Sequence, residues 1–182
     1  MHTEDGRTKF ERLVVPYLED ALTTARWLTR NRSDAEDVVQ ESAIRAFRAI
    51  DKFDGASPRS WFLAIVRNTA YTWLRKNRTL SLVLVDDLDH EKRGEVERGG
   101  DLIDGKEANP EADFIRRVEE ARLELAIRAL PPQFREALVL RDIQGLDYRE
   151  IAQVIGAPIG TVMSRLARGR QRLVEALGAE RA

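Results

Sequence analysis

Asp147-Tyr148-Arg149-Glu150-Ile151-Ala152-Gln153-Val154-Ile155-Gly156-Ala157-Pro158-Ile159-Gly160-Thr161-Val162-Met163-Ser164-Arg165-Leu166 is the stretch that decides the fold. A short helix reads from Asp147 to Ile155, a tight turn follows at Gly156-Ala157-Pro158, and a longer helix starts at Ile159. Glycine supplies the left-handed residue that ends the first helix. Ala152 is small where the two helices cross, and Ile151, Ile155, Val162 and Leu166 fall where they can bury between them. This is the spacing of a helix-turn-helix, in which the first residues of the second helix meet base edges. Here those residues are Gly160, Thr161, Met163, Ser164 and Arg165. Hydroxyls donate to bases or phosphates, and arginine grips guanine through two bonds. Arg165, Arg168 and Arg172 share a face at i, i+3, i+7, and no acid occurs between Glu150 and Glu175, so the strip suits phosphates. A solvated basic face on a plain four-helix cluster is the competing reading. The turn, the small residue, the buried pattern and the acid-free second helix together favour DNA.

Upstream of this motif, one helix is predicted over about 111–130, ended by Pro131-Pro132, and a second to about Gln144, stopped by Gly145. The last helix is predicted to end near 177. At the other end of the chain Phe10, Leu13, Val14, Tyr17, Leu18, Ala21, Ala25 and Leu28 recur at helical spacing. Asn31-Arg32-Ser33 breaks the pattern, with Ser33 or Asp34 placed to cap the next helix, which carries Val38, Val39, Ala43, Phe47 and Ile50 on its expected core face. Asp54-Gly55-Ala56-Ser57-Pro58 is a turn cluster, and a third helix runs from about Pro58 to Arg78 with proline in its first turn. From about Leu80 to Asn109 periodicity fails; Leu82 to Val85 reads as a short extended piece and the rest as linker. The expected fold is all-α: an N-terminal helical bundle (1–80) and a C-terminal four-helix helix-turn-helix domain (112–182), joined by a flexible acidic linker (81–111).

Composition narrows the function. The 182 residues suffice for one ordinary or two small domains, and 43 % apolar residues suffice for a core. With no cysteine there is no disulfide framework, iron–sulfur cluster or thiolate zinc site, which fits a reducing cytoplasm. His2 and His90 lie in no metal-ligand pattern, and neither metal nor cofactor is expected. The N-terminus lacks a basic start and an apolar run, so no signal peptide is expected. The longest apolar run is Trp61 to Val66, against about 20 residues for a membrane span, so no membrane insertion is expected. The net charge of −1 hides an uneven distribution: residues 1–80 hold 14 basic and 11 acidic side chains, residues 81–113 hold 4 and 11, and residues 114–182 hold 12 and 9. Two mildly basic modules thus flank an acidic strip.

The N-terminal module carries two further signals. Residues 55–80 contain Arg59, Arg67, Arg75, Lys76 and Arg78, no acid, and the aromatics Trp61, Phe62, Tyr71 and Trp73. Cationic groups interleaved with rings suit melted DNA, charge for the backbone and faces for unstacked bases. Core packing is the stronger expectation for any single ring, Trp61 and Phe62 included, and for Ile65 beside them. Asp34, Glu36, Asp37 and Glu41 form an acidic patch beside Gln40. Such a patch is a solvated face favoured by the helix dipole, a metal site, or a docking surface for a basic partner.

The order of these features resembles a known family. Asp34-Ala35-Glu36-Asp37-Val38-Val39-Gln40-Glu41 is similar to the core-polymerase-binding segment of bacterial sigma-70-type initiation factors. Trp61-Phe62-Leu63-Ala64-Ile65-Val66-Arg67-Asn68 resembles their promoter-melting segment. Leu130-Pro131, Tyr148-Arg149-Glu150-Ile151-Ala152 and Gly160-Thr161-Val162-Met163-Ser164-Arg165-Leu166-Ala167-Arg168-Gly169-Arg170 resemble their −35-binding domain. The resemblance covers residues 10–78 and 112–177, and with no segment like the family's other domains it points to the small extracytoplasmic-function (ECF) group.

The resemblance implies that Asp34, Glu36, Asp37, Gln40 and Glu41 dock on core RNA polymerase. It implies that Phe53, Gly55, Ser57, Arg59, Trp61, Arg67, Asn68, Tyr71, Arg75 and Lys76 read the −10 element as it melts, with the Phe53 to Pro58 loop receiving a flipped base. Arg149, Thr161, Met163, Ser164, Arg165, Arg168 and Arg172 would read −35 duplex, and the linker would thread the polymerase cleft. An anti-sigma protein is an expected partner, no appended C-terminal sensory domain is expected, and the chemistry would belong to polymerase, not to this chain. One position departs from the family pattern: Thr72, followed by bulky Trp73, stands where many relatives carry an acid.

Two other functions compete. A self-sufficient regulator would bind duplex tightly on its own, usually as a dimer, yet no dimer helix or ligand pocket is evident. An enzyme using the Asp34/Glu36/Asp37/Glu41 carboxylates would need a second ligand cluster, and the chain offers none of comparable spacing. The isolated protein is expected to bind duplex DNA weakly and with a steep salt dependence, measured by anisotropy titration across salt concentrations. Tight, specific binding by the free protein in physiological salt would contradict this.

Overall fold

The computed structural model describes residues 5–55, 57–84 and 110–179, and the greater part of the expected linker, 85–109, lies outside the described residues, as do His2 and His90. Among the described residues there are eight α-helices and no strand: α1 Gly6–Leu13, α2 Leu18–Thr29, α3 Arg32–Ala49, α4 Pro58–Leu84, α5 Pro110–Ala129, α6 Pro132–Leu138, α7 Tyr148–Ile155 and α8 Ile159–Ala179. The all-α reading therefore holds.

The boundaries differ from expectation where local chemistry overrides periodicity. The apolar pattern from Phe10 to Leu28 is split by Pro16, which sits in a tight turn at Val15–Tyr17 between α1 and α2. Asn31, rather than Ser33 or Asp34, caps α3, its side chain accepting the Asp34 N–H at 3.0 Å. α4 continues to Leu84 without the extended piece expected from Leu82, so the leucines there extend the helix. The segment after α6 continues as one π turn, Val139–Ile143, before Gly145 ends it at φ 71°.

Two cores form. Ala21, Ala25 and Leu28 of α2, Ala35, Val38 and Ala46 of α3, and Phe62, Val66 and Ala70 of α4 make the first. The small residues let α2 and α3 approach α4 closely. Leu138, Leu140, Leu146, Ile151, Val154, Ile155, Val162 and Leu166 make the second, and Leu63 of α4 is buried within it rather than in the first. Phe62 is fully buried, whereas Trp61 and Ile65 are half-buried against the first core. Phe47, expected inside, is 51 % exposed and meets Phe10 edge-on with ring centroids 5.5 Å apart.

The helix-turn-helix is built by local rules. Asp147 accepts the Arg149 and Glu150 N–H groups, and the Glu150 carboxylate accepts the Asp147 N–H, a reciprocal capping box at the start of α7. Gly156 closes α7 at φ 64°. Ile151, Ile155, Val162 and Leu166 are buried between α7 and α8 as their spacing predicts. Where α8 crosses α6, a Cβ on Gly169 would stand 3.2 Å from Leu138 Cδ1 and 3.4 Å from Phe134 Cβ. Asp147→Ala is expected to cost about 1 kcal/mol, and Gly169→Val about 1–3 kcal/mol by forcing the two helices apart. Both are read from urea unfolding midpoints, and unchanged midpoints would contradict this packing.

Candidate nucleic-acid and partner interfaces

α3 is amphipathic in two senses. Its inner face holds Ala35, Val38, Ser42 and Ala46. Outward, Glu36, Asp37, Gln40 and Glu41 are exposed, and Asp34 is half-buried in the first turn. Ile44, 48 % exposed, and Phe47 continue the Asp37–Gln40 row one and two turns further on, so acids and apolar groups share one outer face. Glu36 pairs with Arg32 at 3.0 Å and Glu41 with Arg45 at 2.8 Å, both on the surface. Among the described residues Asp37 and Gln40 have no side-chain partner. No cluster able to hold a metal occurs among the described residues.

The basic-aromatic residues of α4 and the loop before it are less open. Phe53 stacks obliquely on Trp61 at 4.9 Å, and both rings lean on the first core. Gly55 is exposed, and the Ser57 hydroxyl bonds to that of Ser60 at 2.9 Å and accepts its N–H, ordering the first turn of α4. Arg59 Nε donates to Asp20 Oδ2 at 2.7 Å while its Nη2 donates to the Gln144 carbonyl at 2.9 Å. Arg67 Nε donates to Glu136 Oε1 at 2.5 Å, and its guanidinium lies 4.7 Å from the centre of the Tyr71 ring. The Tyr71 hydroxyl is 3.4 Å from Glu136 Oε2. Asn68, Arg75 and Lys76 are exposed, Asn68 accepting from Arg67 at 3.2 Å.

On the helix-turn-helix, Arg149, Met163, Ser164, Arg168 and Arg172 are exposed, and Thr161 and Arg165 are half-buried. The Ser164 hydroxyl donates to the Thr161 carbonyl at 3.0 Å, and Arg172 lies over the Phe134 ring at 5.1 Å. Met163, a large apolar side chain near the start of α8, is 54 % exposed.

Sequence reasoning missed residues that join the halves, Glu136, Gln144, Asp20 and Arg30, and the buried Arg135 beside them. Gln144 Nε2 donates to the Asp20 carbonyl at 2.6 Å and to Thr24 Oγ1 at 2.8 Å. Arg30, left-handed at φ 64°, reaches the Arg128 carbonyl at 2.7 Å. Buried Arg135 clasps the Arg128 and Leu130 carbonyls, and its burial and the nearby charge of Arg30 pull its pKa down to about 10. The Glu136 side chain is 2 % exposed. Burial pushes its carboxyl up, while Arg67, Arg165 and the Tyr71 hydroxyl pull it back. Burial and the Glu136 charge push the Tyr71 phenol up to about 12. A charge pair inside the apolar segment Phe134-Arg135-Glu136-Ala137-Leu138 was the available signal, because charged residues are almost never fully buried unless paired.

Comparison with known proteins agrees with these parts. Residues 13–79 match the family model "Sigma-70 region 2" and residues 120–173 match "Sigma-70, region 4". The chain is 33 % identical over 165 residues to the ECF RNA polymerase sigma factor SigE of Mycolicibacterium smegmatis, covering 90 % of this chain and 60 % of that protein's length. It is 38 % identical over 143 residues to the ECF RNA polymerase sigma-E factor of Escherichia coli, covering 77 % and 72 %. Among solved structures it is similar to the sigma factor RpoE in complex with the anti-sigma factor NepR from Bartonella quintana, with TM-score 0.69, 25 % identity, and 93 % and 96 % of the two chains covered. It is also similar to CnrH in complex with the cytosolic domain of CnrY, with TM-score 0.62, 25 % identity, and 95 % and 89 % covered. An acidic-apolar outer face on α3, a basic-aromatic α4 and a C-terminal helix-turn-helix, in that order and with both regions matched, place the chain: it belongs to the sigma-70 family of RNA polymerase sigma factors, in the extracytoplasmic-function group.

Proposed function

We propose that this chain binds core RNA polymerase, directs it to promoters carrying −10 and −35 elements, and assists their melting. The observation that carries this reading is the outer face of α3, because a helix-turn-helix alone fits any DNA-binding protein. Glu36, Asp37, Gln40, Glu41, Ile44 and Phe47 offer charge for specificity and apolar area for affinity to a basic, partly apolar partner. Asp34 stands at the edge of that face.

In this reading residues 1–80 are the unit that binds polymerase and the −10 element, 112–182 the −35-reading unit, and 81–111 an acidic linker. The −10 strand meets Phe53, Gly55, Ser57, Arg59, Trp61, Arg67, Asn68, Tyr71, Arg75 and Lys76. The rings of Trp61 and Tyr71 offer stacking faces and the cations offer phosphate contacts. Arg149, Thr161, Met163, Ser164, Arg165, Arg168 and Arg172 meet −35 duplex, α8 lying in the major groove with its N-terminal end toward the bases. Both readouts act together, so weak DNA affinity of each half becomes strong when polymerase holds them in register. The chain itself makes and breaks no bond; its binding selects where polymerase does so. Its place of action is the cytoplasm, with polymerase and chromosome, and no helix among the described residues is long and apolar enough to cross a membrane. An anti-sigma protein is the proposed negative partner, since one similar structure is a complex with the anti-sigma factor NepR and the other a complex with the cytosolic domain of CnrY.

Co-elution with purified core RNA polymerase on a sizing column tests this. Wild type and Arg165→Ala are expected to co-elute, Asp37→Arg to lose co-elution, and Gln40→Ala to weaken it. Failure of folded wild type to co-elute, or co-elution of Asp37→Arg indistinguishable from wild type, would overturn the reading.

A further inference from the structure

α5 is fastened at one end. Leu130, just past it, is buried in the second core, and Arg135 clasps the Arg128 and Leu130 carbonyls. The other end stands off: Phe114 and every residue from Arg116 to Ala121 are exposed. A helical stretch shorter than about 12 residues is marginal in water without packing. The surface pairs Arg116–Glu120 at 3.8 Å and Arg128–Glu124 at 2.7 Å add little to it. The exposed face is also patterned. Phe114, Val118, Ala121 and Leu125 recur at i, i+4, i+7 and i+11, the spacing of a coiled-coil seam. Phe114 is 69 % exposed, Val118 43 % and Leu125 57 %. The seam ends at Arg128, whose guanidinium turns to the Trp27 ring, 5.9 Å from its centre. An apolar row of this kind left in water marks an interaction surface. We propose that it is a self-association surface, on which α5 pairs antiparallel with α5 of a second copy of this chain.

The charges beside the seam select both the occupant and its direction. Arg117 and Glu124 stand on one flank, each one residue before a seam position, and Arg122 stands on the other. An antiparallel pair sets Arg117 against Glu124 of the second copy and Glu124 against Arg117 of the second copy, so one two-fold axis makes both ion pairs. A parallel pair would set Arg117 against Arg122 of the second copy, like against like. The side chains match in the same arrangement: Phe114 falls opposite Leu125, and Val118 opposite Ala121, whose small side chain lets the helices approach. Glu124 already holds Arg128 of its own helix and keeps its side chain 43 % exposed, so its carboxylate can accept a second cation. The seam from Phe114 to Leu125 is about 17 Å long. That is short of a standard interface, so the pair is a weak dimer that dilution dissociates. It is not the tight dimer a self-sufficient regulator needs. The seam shares no residue with the surfaces proposed to meet polymerase or promoter DNA, so the inference goes beyond the proposed function and does not depend on it.

Sedimentation velocity of the full chain, from about 1 to about 300 µM, tests this. Wild type is expected to pass from monomer to dimer across that range, and Val118→Glu to stay monomeric. Arg117→Glu is expected to weaken the dimer about 5- to 10-fold, because both cross-copy ion pairs become repulsions. Glu124→Arg is expected to do the same, and the two changes together to restore wild-type association. Glu11→Gln, an exposed change of charge on α1, is expected to alter nothing. Circular dichroism checks folding, and Leu125→Glu replaces Val118→Glu should the latter fail to fold. A wild type that is monomeric throughout, or a dimer that survives Val118→Glu, would overturn the proposal. Tighter association of Arg117→Glu would also overturn it, since only a parallel pair gains from that change. Polymerase co-elution on the same samples separates the occupants. Val118→Glu is expected to co-elute like wild type. Loss of its co-elution together with a monomeric wild type would assign the seam to polymerase and defeat the self-pair while leaving the sigma reading in place.

Discussion

The carboxylate of Glu136 sits where water is excluded, and its lost hydration is compensated by the Arg67 fork and the Tyr71 hydroxyl from the other half of the chain, with the charge of Arg165 nearby. Breaking such a pair by removing one partner costs on the order of 3–5 kcal/mol. The surface pairs Arg32–Glu36 and Arg170–Asp142 are worth at most about 1 kcal/mol each. The contrast decides which charges matter to architecture. Surface pairs decorate helices that would form without them, whereas the Glu136 pair fixes how α4 faces the C-terminal half. Leu63, carried on α4 yet buried in the second core, adds an apolar anchor to the same junction.

This junction ties the fold to the function. α4 has two faces: Phe62, Val66 and Ala70 pack inward, while Arg59, Arg67 and Tyr71 reach the C-terminal half. On the proposed reading α4 holds DNA, which requires cations and rings on its outer face, and uncovered cations and rings attract other anions. Asp20 of α2 pairs with Arg59, and Glu136, carried inside the apolar segment of α6, pairs with Arg67 and Tyr71. On α8, Ser164, Arg168 and Arg172, proposed to meet duplex DNA, stand exposed.

What was legible in the sequence is what short-range chemistry determines. The α7–α8 motif could be read because its left-handed glycine, its small Ala152 and its four buried aliphatics lie within twenty residues. The outward acids of α3 were legible for the same reason. Phe47 was misplaced because an aromatic residue near a core pattern is taken as core, yet its angle about α3 puts it beside Gln40 and Ile44, half exposed. Pro16 was passed over because the apolar spacing continues across it, although its ring cannot continue a helix as other residues do. The cap on α3 fell to Asn31, three residues before Asp34, within the cluster that broke the pattern. The closure of the two halves was not legible: Arg67 and Glu136 are 69 positions apart, and no period or local motif links them.

Initiation itself is the most direct measurement of the central claim. Core RNA polymerase, with and without the purified chain, is given fragmented bacterial genomic DNA, and the 5′ ends of the transcripts are mapped. The expected result is a set of start sites that appear only with the chain and share two upstream elements, lost when Arg165 and Arg168 are replaced by alanine. No added start sites with folded protein, or start sites without a shared upstream sequence, would contradict it.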